Sequence, residues 1–124
     1  MRIAFISDLH SNLQALENVL GDAEARGVDE IICLGDIVDL GPEPGEVVNV
    51  LRDRNIFSVR GNHDTLDENP ELEFLRDVES WTREKLSADQ LEWLEKMCHL
   101  VQLSKSSRPG YFWSTVRLAP IPKG

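Results

Sequence analysis

Basic residues are scarce in this chain. Thirteen Lys and Arg stand against 22 Asp and Glu, for a formal net charge of −9 over 124 residues. Nonspecific nucleic-acid binding depends on cations that neutralise phosphates, so this balance argues against it. Long apolar runs are missing too. Nothing approaches the ~18–20 residues of a membrane-spanning helix. The opening "MRIAFISDLH" lacks the length and the small-residue cleavage site of a secretory leader, so a cytoplasmic protein is expected. Only two cysteines occur, Cys33 and Cys98, without metal-binding spacing. Cys33 lies within an apolar strand pattern and reads as a buried free thiol of a reducing compartment. There is no Gly-rich phosphate loop, which sets aside a generic nucleotide-binding domain. No repeat, linker or low-complexity segment interrupts the chain, and 41% hydrophobic residues suit one domain of ordinary size.

What is present alternates. "RIAFIS" (2–7), "EIICLG" (30–35) and "IFSV" (56–59) have strand composition. Between them, Leu13, Leu16, Val19, Leu20 and Ala23 recur at helical spacing, as do Val47, Val48, Val50 and Leu51. Ser11 with Gln14 forms a candidate capping box for the first helix, and Gly27 a stop. A β-α-β-α-β order with short connections predicts an α/β fold on a parallel sheet with right-handed crossovers. Two further helices are expected, near 71–86 and 88–98, the second opened by a capping box of Ser87 and Gln90. Trp81 and Trp93 read as packing residues. Residues 100–103, "LVQL", offer a fourth strand; 111–119 has strand composition but poor alternation.

Ligands bind beyond the carboxyl ends of the strands in an open parallel sheet, and three polar loops fall there. "SDLHSN" supplies Asp8 and His10, "GDIVDLGP" supplies Asp36 and Asp39, and "RGNHD" supplies Asn62, His63 and Asp64. Each loop alone is an ordinary turn composition, and Asp36 or Asp39 alone reads equally as a cap. Together, carboxylates and imidazoles emerging side by side would repel or titrate abnormally without a counter-charge. A divalent cation accepts carboxylate, neutral imidazole and amide oxygen at once. The alternation of Asp8-x-His10 is expected to point both side chains at one ion. Asn12 would either touch substrate or cap the first helix. His99, at the end of an expected helix and without acidic companions, reads as a dipole-favoured residue rather than a ligand.

Asp8-Leu-His10, Gly35-Asp36 with "DLGP", and Gly61-Asn62-His63-Asp64 resemble the motifs of the calcineurin-like metallophosphoesterases, most nearly its small bacterial phosphodiesterases, over roughly residues 1–103. The resemblance implies the first half of a two-sheet sandwich and hydrolysis of a phosphomonoester or phosphodiester by a metal-bound hydroxide. It implies divalent ions (Mn, Fe, Zn, Ni or Co), two in the family. Asp8 and His10 would hold the first, Asp36 would bridge, and Asn62 would hold the second. His63 would stabilise or protonate the leaving oxygen, with Asp64 orienting its ring. Asp39 and Leu40 depart from the small or aromatic residues expected after the second motif, which bears on substrate preference.

The family's later histidines, one after a strand and two in a Gly-His-x-His segment, have no match; after His63 only His99 remains. Three protein ligands form an open site for one ion, whereas Asp36 and Asn62 alone are too few for a stable second. The composition also shifts near Ser104. Lys105, Arg108, Arg117 and Lys123 are the only charges in 104–124, so the 13 basic residues less these four leave nine against all 22 acids in 1–103. Residues 104–124 are read as an atypical basic, Pro-containing tail, and a truncated, frame-shifted or naturally split product is expected. One sheet face would then lack cover, which predicts a homo-oligomer or a partner chain over it. Two functions follow: a phosphoesterase of reduced activity, or a non-catalytic fragment or interaction module that retains the fold and at most one ion.

Overall fold

In the computed structural model, residues 1–66 and 73–97 are described. Strand β1 (Ile3–Ile6) leads through helix α1 (Leu13–Ala25) to β2 (Glu30–Cys33), then through α2 (Pro44–Asp53) to β3 (Phe57–Ser58). The strands lie parallel in the order β1-β2-β3. Right-handed crossovers then place both helices on one face, and α1 packs beside α2. A short 3-10 turn (His63–Thr65) follows β3, and α3 (Glu73–Lys85) and α4 (Ala88–Lys96) complete the described elements.

The periodicity that predicts the helices also builds the core. Leu16 and Leu20 of α1 and Val47, Val48 and Leu51 of α2 are fully or almost fully buried. They pack with Ile6 and Cys33 of the sheet and with Ile37, Val38, Leu86 and Leu94. Register links Phe5 to Ile32 and Ile32 to Phe57. Residues in register point to the same side of a parallel sheet, so these three form a row on the face away from Ile6 and Cys33. Phe5 there is 49% exposed, while Ile32 is buried.

The caps differ in one instance. Asn12, not Ser11, caps α1, accepting from the Ala15 amide at 3.0 Å. Ser11 is fully buried and its amide donates to the Ile37 carbonyl, so it belongs to the loop-to-loop pairing below instead. The Ser87–Gln90 capping box of α4 forms as expected. Trp93 packs against the core. Trp81 is 39% exposed, with the Lys85 ammonium 5.5 Å from its ring centroid. Cys98, His99, both expected later strands and the tail lie outside the described residues.

Candidate metal centre

Beyond their carboxyl ends β1 and β2 continue to pair as loops. The Asp8, His10 and Ser11 amides donate to the Gly35, Asp36 and Ile37 carbonyls at 2.9–3.1 Å. The backbone there is unusual. Asp8, His10, Ser11, Asp36, Asp39 and Leu40 all have positive φ, from 43° to 72°. An L-residue in this region costs about 1 kcal/mol or more, and such strain gathers at functional sites. It also corrects the expected alternation: β1 ends at Ile6, and Asp8 and His10 are aimed by left-handed loop backbone rather than by strand pleat.

The third loop closes on the second with no room between. A Cβ on Gly61 would stand 2.1 Å from Oδ1 of Asp36, and one on Gly35 would stand 2.5 Å from the Gly61 nitrogen. Gly35 has φ of 103°, a conformation only glycine adopts without strain. The His63 amide donates to Asp36 Oδ1 at 3.1 Å.

Asp8, His10 and Asp36 offer three ligand atoms within 4.8 Å of one another. His10 Nε2 stands 3.8 Å from Asp8 Oδ1, and its Nδ1 faces the Val38 carbonyl at 3.4 Å. A ring whose Nδ1–H is engaged by a backbone carbonyl presents Nε2 as the ligating nitrogen, a common arrangement around metals. Two carboxylates and an oriented imidazole are a donor set that a divalent ion fits. Asn62 is exposed at the start of the 3-10 turn, and the residues on either side of it both meet the Asp36 carboxylate.

The His63 ring lies edge-on to that of His10, centroids 5.0 Å apart. Its Nδ1 is 2.9 Å from Asp39 Oδ2. Asp39 is fully buried, and its carboxylate raises the His63 pKa, opposed by partial burial and assisted by Asp36 and Glu79. An ionised carboxylate only accepts, so Nδ1 donates and Nε2 is left for the open side. This corrects the part expected of Asp64. Its buried carboxylate accepts instead from the Ile37, Val38 and Gly61 amides at 2.7–3.0 Å. Burial pushes its carboxyl up while the three amides pull it down. Asp64 therefore braces the second loop against the third, and Asp39 is the carboxylate on His63. The signal in the sequence was the Asp36-x-x-Asp39 spacing, obscured because Asp39 also suits a turn.

The loop ends of the parallel sheet thus bring a group that could hold a metal ion beside a His–Asp pair. The sequence model of the calcineurin-like phosphoesterases matches residues 1–112, and the chain belongs to that family. Over 62 residues, half of this chain and 26% of the other, it is 58% identical to the uncharacterized protein MJ0912 of Methanocaldococcus jannaschii. Its fold is similar to the crystal structure of a metallophosphoesterase from Sphaerobacter thermophilus, with a TM-score of 0.65 and 45% identity over 78% of this chain and 41% of that one. A second solved structure, described provisionally as a diadenosine tetraphosphatase, gives 0.63 and 25% identity over 77% and 42%. The chain thus spans less than half the length of these relatives.

Proposed function

We propose that this chain carries the metal-binding and leaving-group side of a phosphoesterase site acting on phosphomonoesters or phosphodiesters. The observation that carries the reading is the convergence of Asp8, His10 and Asp36 within 4.8 Å next to a His63 ring held by Asp39. A divalent ion bound there would polarise a phosphoryl oxygen and make water a nucleophile at neutral pH. Asp8, His10 and Asp36 would hold such an ion, and Asn62 would add an oxygen without adding negative charge. His63, raised in pKa by Asp39, holds a proton for the departing oxygen at Nε2. Asp64 keeps the second and third loops in register. Nucleoside polyphosphates join the simple esters as substrates to test, given the second solved relative.

Calorimetric titration with Mn²⁺ tests the metal, and hydrolysis of p-nitrophenyl phosphate and bis-p-nitrophenyl phosphate tests the chemistry. One ion per chain is expected. Asp36→Asn should abolish its binding, since Asp36 touches the first ligand group and the third loop alike. His63→Gln should keep the ion and lower the rate by about 10²–10⁴-fold, the usual contribution of a proton donor. Equal loss of metal in both variants would contradict their separate roles. A second reading, a non-catalytic module retaining one ion, is favoured by the three-residue ligand group. One ion bound without hydrolysis of any ester would select it.

A further inference from the structure

Helix α3 lies outside all three motif loops, yet it reaches the site. Thr82 is fully buried, as is Asp39. The Thr82 hydroxyl stands 3.4 Å from Asp39 Oδ1, a long contact, while Asp39 Oδ2 engages His63 Nδ1 at 2.9 Å. The hydroxyl must donate, because a carboxylate only accepts. A buried carboxylate with each oxygen committed to a different partner is fixed about its own axis. Free to turn, it would carry the imidazole with it. Glu79, one turn earlier on α3, is also buried, so this helix turns a polar patch rather than an apolar one toward the loop.

We propose that Thr82 is a positioning residue, which locks the Asp39 carboxylate and through it the tautomer and direction of the His63 ring. The proposal rests on the phosphoesterase reading for its consequence on rate, but its geometry is testable without activity. The full chain is labelled with ¹⁵N-histidine, and His63 is assigned by the signals lost in His63→Gln. A His63 Nδ1 proton protected from solvent exchange is expected. Thr82→Val keeps the shape without the hydroxyl and should shift that resonance and speed its exchange. Thr82→Ser should leave both close to the parent. If Thr82→Val does not fold, Thr82→Ala is compared with Thr82→Ser, a pair that differs by the hydroxyl alone.

In an active preparation the hydroxyl-free variant should lose about fivefold in kcat, the weight of one net hydrogen bond, at unchanged KM, with recovery in Thr82→Ser. An unprotected Nδ1 proton in the parent chain, an unmoved resonance without the hydroxyl, or equal displacement with and without it would overturn the proposal. An inactive parent chain would count against the phosphoesterase reading alone, leaving the resonance to decide the role of Thr82.

Discussion

Single residues in this site carry more than one duty, and their burial decides which. Asp36 and Asp64 are both aspartates at motif positions, yet Asp36 keeps an accessible carboxylate for a ligand group, while Asp64 is consumed by three backbone amides. Cys33 is the opposite case, a reactive type made inert. It is fully buried in the core, and burial raises its thiol from 9.0 to about 11. Only the thiolate is nucleophilic. In a Cys98→Ser background at pH 8, iodoacetamide should therefore modify Cys33 only after denaturation, as read by mass spectrometry. The linkage has a definite sign. The folded chain keeps a proton that the unfolded chain releases, so the stabilisation is whole below pH 9 and is lost as pH rises towards about 11. Urea midpoints across that window should fall with pH in the parent and fall less in Cys33→Ala.

At the level of elements, α4 shows how a local sequence signal becomes a tertiary fastener. The Ser87 hydroxyl accepts from the Gln90 amide at 3.2 Å, and the Gln90 side chain returns to the Ser87 amide at 2.9 Å. The side-chain nitrogen Nε2 of Gln90 donates to the Gly45 carbonyl and to Asn49 Oδ1, both on α2. Ser87→Ala should cost about 1 kcal/mol, the usual value of a lost cap. Gln90→Ala should cost more, because it also removes two hydrogen bonds to α2. Urea unfolding monitored by tryptophan fluorescence checks both: the midpoint should fall with the slope unchanged in each, and further for Gln90→Ala. Equal midpoints would show that the link to α2 adds nothing to the cap.

For the whole molecule, the ligand group lies where three loops meet, so binding an ion there reports on the assembled fold. A ligand at about 100 times its dissociation constant stabilises by ~2.7 kcal/mol. For a domain of this size that should raise Tm by about 10 °C with Mn²⁺; EDTA should reverse it and Asp36→Asn should abolish it, as read by calorimetric scanning. No helix among the described residues is long and apolar enough to cross a membrane. The chain covers 41% and 42% of the length of two solved relatives. In the outer sheet row Phe5 is about half exposed, while Ile32 beside it is buried.

Read alone, the amino-acid order determined the alternation of strands and helices and the identity of the three loops. Those features are local: 3.6-residue periodicity, Gly and Pro punctuation and capping patterns act over a few neighbours. It also determined the residue types at the strand ends, and with them the donors of a possible metal-binding group. Only the tertiary structure decided which carboxylate serves which partner. Asp39 and Asp64 are 25 positions apart and chemically alike, and their roles depend on long-range packing. One lies under the His63 ring and α3, and the other beneath the amides of Ile37 and Val38. No spacing rule encodes that choice, because it is made by close approach of backbone to backbone at Gly35 and Gly61, a contact that exists only once the three strands have paired.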